Sequence, residues 1–421
     1  MPDPHVVIIG GGFGGLYAAR ALRRAPVRVT LVDRTNHHLF QPLLYQVATA
    51  LLAPSDIAIP IRWRLRNERN VRVVLADATR IDPTARTVHL DREPCELRYD
   101  YLILATGARH AYFGHDEWER LAPGLKTLDD AREIRRRFVL AFELAEWAAT
   151  DAERGALLTF VVVGGGPTGV ELAGMIPPAS RHTLVEEFRN IDTRRTRVVL
   201  VEAGPRLLPA FPERVSRAAK TDLEGIGVEV RLGTPVTRIE EGAVWIGDER
   251  IAARTVFWAA GNAASPLGRS LGVALDRAGR VSVGPDLALP GRPEVFVVGD
   301  LAFLEVDGRV VPAVAPAAMQ EGTHAARNIV RDVTGQPRRP FRYRNKGELA
   351  TIGRHRAVAS FVYGRLILRG AIAWWFWLFL HVMYLAGFRN RASVLLEWAW
   401  SYVTWQRGSR IVTAAQDGHR R

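Results

Sequence analysis

The stretch HVVIIGGGFGGLYAARALRR, residues 5–24, decides the fold of this chain. An apolar run, residues 6–9, leads into a glycine-rich turn, and small and apolar residues in a helical pattern follow. Gly10, Gly12 and Gly15 occupy the positions of a G-x-G-x-x-G fingerprint. The first glycine allows a tight turn, the second lets a pyrophosphate approach the backbone, and the third lets helix and strand pack closely. We therefore predict a strand–turn–helix unit that binds a dinucleotide.

An acidic residue completes this first unit. The segment VRVTLVD, residues 27–33, has the composition of a second strand and ends at Asp33. A carboxylate about 20 residues after the glycines accepts a hydrogen bond from a ribose hydroxyl. An isolated motif of this kind can also be a glycine turn without a ligand. Here a nucleotide site is favoured, because the motif stands in the order strand, glycines, helix, strand and acid.

The same pattern occurs a second time in LTFVVVGGGPTGVELAGMI, residues 158–176. The glycines of this second fingerprint are Gly164, Gly166 and Gly169. The strand TRVVLVEAG, residues 196–204, brings Glu202 to the position of the acid. Because the spacing is longer than in the first unit, we predict an extended helix and loop over residues 181–195.

Glu202 leads to a prediction about the nucleotide. Its carboxylate would accept hydrogen bonds from both hydroxyls of an adenosine ribose and would repel a 2′-phosphate. This favours NADH over NADPH, although Arg206 lies close in sequence and would soften the preference. Two such units indicate two dinucleotides, and the economical interpretation is a flavoprotein whose first unit holds FAD and whose second holds NADH.

Three further apolar segments end in glycine-containing turns, as expected for strands with nucleotide-binding residues at their ends. They are YDYLILATGA (99–108), ARTVFWAAGN (253–262) and PEVFVVGDLA (293–302). In the last of them, Asp300 is predicted to accept a hydrogen bond from a ribityl hydroxyl of FAD. A glycine–aspartate turn by itself is more often an ordinary turn, so the prediction rests on its place after two dinucleotide units.

The net charge of +13 is concentrated at the C-terminal end of the chain. Residues 338–421 hold 15 Lys and Arg against three Asp and Glu, whereas the preceding residues are nearly balanced. Six of the eleven tryptophans lie there: Trp374, Trp375, Trp377, Trp398, Trp400 and Trp405. Arginine beside tryptophan is typical of a bilayer interface. Long apolar runs separate the arginines, which argues against a nucleic-acid groove with single stacking aromatics.

Cys95 is the only cysteine, and this excludes several classes of chemistry. A single thiol cannot form a disulfide framework, a cysteine metal site, or the redox pair of disulfide and sulfide:quinone reductases. The sequence shows no metal-binding cluster and no Ser-His-Asp set, so we predict that bound cofactors supply the chemistry. No signal or transit peptide is readable at the N-terminus.

With these motifs the chain resembles the type II NADH:quinone oxidoreductases, the non-proton-pumping NADH dehydrogenases of respiratory chains. The resemblance spans essentially the whole chain, and four stretches outside the dinucleotide units are specific to it. They are NHHLFQPLLYQVATALLAPSDIAIPIR (36–62), FRYRNKGELATIGR (341–354), HVMYLAGFRNR (381–391) and WAWSYVTWQRGSRIV (398–412). The first is similar to the family segment beside the flavin, the second to the segment that leaves the FAD domain, and the last two to the membrane-binding end.

The resemblance implies catalytic roles for two residues. Glu171 matches the family's glutamate near the nicotinamide and flavin, where it would position NADH or assist proton transfer. A favourable charge at the start of a helix is the alternative role for Glu171. The family usually carries two glutamines in an Ala-Gln-x-Ala-x-Gln stretch, but here it reads APAAMQ, with Pro316 in the first position. Gln320 is therefore the remaining candidate for a hydrogen bond to a quinone carbonyl.

The residues that we predict to bind the two cofactors follow from these motifs and from the resemblance. They are Gly10, Gly12, Gly14, Gly15, Asp33, Arg34, Gln41, Thr106, Gly107, Gly164, Gly166, Thr168, Gly169, Glu202, Gly261 and Asp300. No residue is predicted to bind a metal.

The predicted fold class is α/β, with two Rossmann-like dinucleotide-binding domains of the two-dinucleotide-binding flavoprotein type and C-terminal membrane-associating helices. Residues 1–115 and 262–350 are assigned to a discontinuous FAD domain, 116–261 to an NADH domain, and 351–421 to the membrane-anchoring region.

The resemblance also implies the reaction and its location. A hydride passes from NADH to FAD, and two electrons then pass to a membrane quinone. The enzyme is expected to be peripheral, on the cytoplasmic face of the cell membrane, with its C-terminal helices on an anionic lipid surface. It is not expected to bind nucleic acid, and a homodimer is left open.

Two alternatives for the function remain at this point. A soluble-acceptor NADH reductase of the same fold fits the nucleotide units, and so does a flavin-binding redox sensor whose basic tail binds phosphate-rich partners.

A bilayer crossing is the alternative for residues 370–388, which are about long enough to span. A crossing would carry Arg389 and Arg391 to the far side, against the positive-inside tendency. The following helix has a polar stripe at Ser393, Glu397, Ser401 and Thr404. Because such a helix lies in an interface, we predict that this region lies in one leaflet.

Overall fold

The computed structural model describes residues 3–361, 364–385, 387–406 and 408–412. The end of the predicted membrane-anchoring region, residues 413–421, lies outside the described residues. The principal strands are β1 (His5–Ile9), β2 (Arg28–Asp33), β3 (Val71–Leu75), β4 (Tyr101–Leu104), β5 (Thr159–Val163), β6 (Arg197–Glu202), β7 (Val228–Leu232), β8 (Thr255–Trp258), β9 (Ala288–Leu289), β10 (Arg292–Val297), β11 (Glu348–Ile352), β12 (Arg356–Phe361) and β13 (Leu366–Arg369).

Eight principal helices alternate with these strands in the described part of the chain. They are α1 (Phe13–Ala21), α2 (Leu44–Ala48), α3 (Leu128–Trp147), α4 (Pro167–Pro178), α5 (Glu213–Gly225), α6 (Ala315–Val333), α7 (Gly370–Tyr384) and α8 (Phe388–Thr404). Shorter strands complete the sheets and hairpins: His37–Leu39, Ala58–Pro60, Ala78–Asp82, Thr87–Leu90, Glu96–Arg98, Ala108–His110, Val236–Glu240, Ala243–Ile246, Glu249–Ala252, Asn262–Ala264, Val281–Ser282, Ala302–Phe303, Glu305–Val306 and Arg309–Val310.

The first compact unit comprises residues 3–39, 58–109 and 262–346 of the described chain. Its six-stranded sheet has the order β9–β10–β4–β1–β2–β3, with every neighbouring pair parallel except β9 and β10. Strand β1 lies in the interior of this sheet and is buried along its whole length. Because a parallel sheet is covered on both faces, its strands are continuous apolar runs, and this is the pattern seen in the sequence.

Helices α1 and α6 cover one face of the sheet and approach each other at glycines. A Cβ atom on Gly322 would lie 2.0 Å from the carbonyl oxygen of Gly14, so α6 does not tolerate a larger side chain at this crossing. Gly14, which was predicted to bind a cofactor, is thus placed at a helix–helix crossing of the first unit.

The second compact unit comprises residues 40–57, 110–261 and 347–412 of the described chain. Its sheet has the order β7–β6–β5–β8 and is parallel throughout. Helix α4 continues into a π turn, Ala179–Thr183, and residues 181–195 lack the predicted extended helix. Pro177 and Pro178 precede this point, and each removes a backbone donor that a longer α-helix needs.

The boundaries of the two units lie close to the predicted domain boundaries at residues 115, 261 and 350. The structure differs by grouping residues 40–57 and the C-terminal region with the second unit. Within that unit, strand β11 packs against α4 at a point where a Cβ atom on Gly174 would lie 2.6 Å from the backbone nitrogen of Gly353. The assignment of one cofactor to each unit stays a prediction.

Helices α7 and α8 present apolar side chains to solvent. The side chains that are more than half exposed are Ile372, Trp375, Phe379, Met383, Leu396, Trp400 and Val403. The polar stripe of α8 faces the protein instead: the Ser393 hydroxyl donates to Asp56 Oδ1 at 2.7 Å, and Ser401 is buried. Neither α7 nor any other helix in the described ranges combines the length and apolarity that a membrane crossing requires.

Candidate functional site

The glycine-rich loop of the first unit is shaped by close backbone packing. Gly10 has a φ of +102°, and a Cβ atom on it would lie 2.4 Å from the carbonyl oxygen of Ala105. A Cβ atom on Gly15 would lie 1.8 Å from the carbonyl oxygen of Gly10. Gly12 is different, because among the described residues, apart from Gly12 and its two chain neighbours, no atom lies within 4 Å of its Cβ position. The open space at the start of α1 therefore suits a ligand phosphate.

Asp33 lies at the end of β2 and holds this loop. Its Oδ2 atom accepts a hydrogen bond from the Gly11 N–H at 2.5 Å. Its Oδ1 atom accepts from both the backbone N–H and the hydroxyl of Thr35, at 2.6 and 2.7 Å. A carboxylate oxygen has two lone pairs, so Oδ2 keeps an acceptor site for a ribose hydroxyl.

His38 supports the same loop and was not predicted from the sequence. Its Nδ1 atom lies 3.0 Å from the carbonyl oxygen of Gly11, which requires a donating Nδ1–H, and its ring packs edge-on against Phe13. Burial lowers the pKa of His38 to about 4, so the ring is neutral near pH 7.

The loop of the second unit repeats this geometry. Gly164 has a φ of +112°, and a Cβ atom on Gly169 would lie 1.8 Å from the carbonyl oxygen of Gly164. Gly166 has no protein atom within 4 Å of its Cβ position. Glu202 Oε2 accepts from the Gly165 N–H at 2.6 Å, just as Asp33 does in the first unit. Two loops of the same shape therefore stand at the starts of α1 and α4.

Arg206 does not pair with Glu202 in the structure. Its guanidinium donates to the carbonyl oxygens of Phe211 and Pro209 and to the Ser216 hydroxyl. The second carboxylate oxygen of Glu202 accepts from the Gly204 N–H at 2.7 Å. The arginine is thus held within its own loop.

A third part of the first unit fits a bound cofactor. The Thr106 hydroxyl oxygen is buried and has no hydrogen-bond partner among the described residues, and the neighbouring Gly107 has a φ of +66° with open space at its Cβ position. Because a buried hydroxyl without a partner is costly, this position fits a cofactor that supplies the missing partner.

Glu321 organises the turn that carries Asp300. The N–H of Gly299, in the turn, donates to Oε2 of Glu321, on α6, at 2.5 Å. Burial, and next the charge of Asp300, raise the pKa of Glu321 to about 7. Glu321 could not be found from the sequence, because its partner lies 22 residues away.

The remaining predicted cofactor-binding residues have varied surroundings. Arg34 is exposed at the end of β2, and Thr168 lies in the first turn of α4. Gln41 donates to the carbonyl oxygen of Lys126 at 3.1 Å. Gly261 is a packing glycine, because a Cβ atom there would lie 2.5 Å from the Phe113 ring.

Gln320 is held by backbone hydrogen bonds. Its Nε2 atom donates to the carbonyl oxygens of Pro316 and Arg344, at 3.0 and 3.1 Å. Its Oε1 atom accepts from the Arg344 N–H at 3.0 Å. The side chain therefore ties α6 to the segment around residue 344, and its contact with a quinone stays a prediction.

Glu171 lies near the start of α4, one turn after the second glycine loop. Its Oε1 atom accepts a hydrogen bond from the Thr351 N–H on β11 at 3.3 Å. Burial raises the pKa of Glu171 to about 8, with this hydrogen bond acting in the opposite direction. The carboxyl group is therefore mostly protonated at pH 7 and is able to donate a proton.

Thr351 also joins a buried polar chain that the sequence did not reveal. The Tyr45 and Thr351 hydroxyl oxygens lie 2.9 Å apart. Gln46 Nε2 lies 3.0 Å from the Tyr45 hydroxyl oxygen, and Trp398 Nε1 lies 2.7 Å from Gln46 Oε1. The chain connects α8 through α2 to β11, within the second unit.

A pocket of the second unit lies beside this chain. Its apolar wall consists of Leu51, Met175, Trp374, Trp377 and Trp405, and its polar side of Tyr45, Gln46, Thr351, Arg354 and Tyr402. The Arg354 guanidinium lies over the rings of Trp405 and Tyr402, 3.6 and 4.6 Å from their centroids. The space between these side chains is about 20 Å³, room for about one water molecule, so a flat, largely apolar ligand would enter only if they move apart.

Three comparisons place the chain among known proteins. The family described as pyridine nucleotide-disulphide oxidoreductase matches residues 4–322, and the NDH2 C-terminal domain matches residues 345–404. A type II NADH:quinone oxidoreductase of Mycobacterium tuberculosis is 45% identical over 99% of this chain and 92% of its own. A second from the same organism is 47% identical over 97% of this chain and 89% of its own.

A solved structure is also similar. NDH2 from Plasmodium falciparum, in complex with NADH, matches with a TM-score of 0.87 over 98% of this chain and 100% of its own. The identity is 19%, so this likeness shows the fold.

Gly12→Ala tests whether the first loop holds a flavin. We expect the variant to fold as the parent does, because the new methyl group meets no protein atom within 4 Å. We also expect it to lose most of its flavin, because the methyl group occupies the space of the pyrophosphate. The visible spectrum and the thermal midpoint of the purified protein report the two effects. Gly155→Ala, at an equally open position, is the control, and full flavin content in Gly12→Ala would contradict the assignment.

Glu171→Gln tests the protonation of the buried carboxyl. The pKa of Glu171 is about 8 in the folded state and 4.5 in the unfolded state. At pH values between these two, Glu171 therefore takes up a proton when the protein folds. The stabilisation from Glu171 is complete below pH 4.5 and is lost as the pH rises through 8. Relative to Glu171→Gln, the free energy of unfolding of the parent should fall by up to about 1.4 kcal/mol per pH unit between these two pKa values. Denaturant titrations at several pH values measure this, and parallel curves would rule it out.

Proposed function

The chain belongs to the type II NADH:quinone oxidoreductases, and we propose that its two glycine-rich loops hold FAD and NADH while the aromatic pocket of the second unit admits the quinone. The enzyme oxidises NADH and reduces a quinone through bound FAD, without pumping protons. The observation that supports the assignment best is the pocket itself. Its walls come from helices whose outer faces are apolar, and its polar side includes Thr351, the partner of Glu171.

FAD, when bound, supplies the two-electron chemistry that takes hydride from NADH and delivers electrons to the quinone. The residues of the first unit that would hold it are those of the Gly10–Gly15 loop, Asp33, Thr106 and Asp300. The open position at Gly12 and the unpartnered Thr106 hydroxyl support this. The N-terminus of α1 would face the phosphates, where its dipole favours negative charge.

NADH would bind to the second loop in the same way. The N-terminus of α4 would face the pyrophosphate, and Glu202 would accept hydrogen bonds from the adenosine ribose. Since Arg206 is engaged in its own loop, it leaves the negative charge of Glu202 unbalanced. A 2′-phosphate would meet that charge, so we propose a preference for NADH over NADPH.

Glu171 and Gln320 are proposed to act on the substrates. Quinone reduction takes up two protons with its two electrons, and a carboxyl group with a pKa of about 8 is suited to donating one near neutral pH. Gln320 is proposed, on the family resemblance alone, to donate to a quinone carbonyl oxygen, since it belongs to the first unit and does not line the pocket. To do so, its amide must exchange one of its backbone partners, Pro316 or Arg344, for the quinone.

The C-terminal helices are proposed to dock on an anionic lipid surface at the cytoplasmic face of the membrane. Helix α8 turns its polar stripe toward the protein together with Val394 and Trp398, while Leu396, Trp400 and Val403 form an exposed apolar face. Exposing this apolar face to water costs free energy, and the cost is removed when the face enters the apolar part of a membrane. Peripheral attachment would give the quinone access to the pocket without a membrane span.

Steady-state oxidation of NADH and NADPH, each with menadione and decylubiquinone, tests the function and the role of Glu202. We expect quinone-dependent NADH oxidation in the parent. In Glu202→Gln the ratio of kcat/KM for NADH to that for NADPH should fall roughly tenfold or more, because a charge-assisted hydrogen bond and a repulsion are lost together. An unchanged ratio would remove Glu202 as the discriminating residue, and NADH oxidation that no quinone accelerates would favour a soluble-acceptor reductase.

Vesicle binding tests the docking surface. Trp375→Ser combined with Phe379→Ser removes two exposed side chains of α7. Since burying each contributes about 1.5–3 kcal/mol, co-sedimentation with phosphatidylglycerol vesicles should weaken roughly tenfold or more. Trp147→Ser on α3, where the tryptophan is 88% exposed, is the control and should bind as the parent does. Equal binding of all three proteins would place the lipid contact elsewhere.

A further inference from the structure

In the buried polar chain between α8 and β11, Trp398 determines which atom donates and which accepts at the first hydrogen bond. An indole Nε1–H is a donor only. The Gln46 oxygen that lies 2.7 Å from it must therefore be the acceptor, which fixes the orientation of the amide. The Gln46 Nε2 group then points to Tyr45 and donates to its hydroxyl oxygen at 3.0 Å.

The direction continues through Tyr45 to Thr351. The Tyr45 oxygen accepts from Gln46, and the 2.9 Å contact between the Tyr45 and Thr351 hydroxyl oxygens is satisfied with Tyr45 as the donor. Burial raises the pKa of Tyr45 well above its ordinary value, so the tyrosine keeps this proton. Thr351 thus receives a hydrogen bond, and its own hydroxyl proton is left to donate.

With Tyr45 as the donor, the Thr351 hydroxyl is available to donate at the pocket. Thr351 is 2% exposed and lines the pocket, and its backbone N–H is already engaged by Glu171. Within the described part of the chain, its hydroxyl makes no hydrogen bond besides the one to Tyr45. A buried donor without an acceptor is costly, so the site favours a ligand with an acceptor oxygen at this point.

We propose that the Thr351 hydroxyl donates a hydrogen bond to a carbonyl oxygen of the quinone, and that Trp398 orients it through Gln46 and Tyr45. This rests on the proposed function of the pocket. Quinone carbonyl oxygens are acceptors, and the rings of Trp374 and Trp377 in the same pocket suit a planar ligand. Thr351 then belongs to the binding site, while Trp398 is a positioning residue that acts from the C-terminal helix.

The test uses the flavin-loaded enzyme with Thr351→Val, which keeps the shape and removes the hydroxyl, and Thr351→Ser, which keeps the hydroxyl. Steady-state kinetics give KM and kcat for menadione and decylubiquinone, and quenching of tryptophan fluorescence gives their Kd without NADH. Thr351→Val should raise KM and Kd roughly two- to tenfold, the range expected for one lost hydrogen bond. Thr351→Ser should recover most of this loss.

Two further variants separate positioning from stability. Thr193→Val removes a buried hydroxyl that donates to the Ser180 carbonyl oxygen outside the pocket, and it should leave the quinone KM unchanged. Trp398→Phe keeps the ring and removes the N–H, and it should raise KM by no more than Thr351→Val does. If Trp398 acts only through Thr351, the double variant should match Thr351→Val.

The outcomes distinguish this proposal from the proposed function. A parent enzyme that reduces the quinone while Thr351→Val keeps its KM and Kd overturns the role of Thr351. Additive effects of Thr351→Val and Trp398→Phe overturn the positioning role of Trp398. A parent whose flavin is bleached by NADH but whose turnover no quinone increases would overturn the function of the pocket instead.

Discussion

A carboxylate that binds the backbone N–H of the middle glycine organises each nucleotide loop. Asp33 holds Gly11 at 2.5 Å in the first unit, and Glu202 holds Gly165 at 2.6 Å in the second. This bond joins the end of the second strand to the turn after the first strand, so the helix that follows starts at a defined place. The N-terminal N–H groups of that helix then form a ready anion site. The proposed dinucleotide sites both depend on this one hydrogen bond.

Burial acts on the titratable groups of both units in one direction, toward the neutral form. It raises the pKa of Glu171 to about 8 and that of Glu321 to about 7, and it lowers that of His38 to about 4. Neutral groups exchange hydrogen bonds with a bound ligand without the large cost of a buried charge. For an enzyme whose product takes up two protons, a carboxyl group that is protonated near pH 7 is directly useful.

The C-terminal helices connect the surface of the second unit to its interior. The outer face of α8 is apolar, and its inner face places Ser393 on Asp56 and Trp398 on Gln46. Helix α8 therefore provides the proposed lipid contact. Through the Trp398 indole N–H it is also proposed to orient the hydroxyl groups beside the pocket. A change in the position of α8 would reach Thr351 through three side chains, Trp398, Gln46 and Tyr45.

The sequence by itself determined both nucleotide loops, the acids that end their second strands, and the apolar character of the C-terminal helices. These features are local: the glycines, the acid and the helical pattern recur at short spacings that any fold of this type must keep. Helical periodicity revealed that α8 has a polar stripe, yet it did not tell which side faces the protein. Only the tertiary structure decided this, and only it brought Tyr45 to Thr351, 306 positions apart, and Glu321 to Gly299. Hydrogen bonds between distant segments leave no repeating pattern in a sequence, because each depends on how separately formed elements pack.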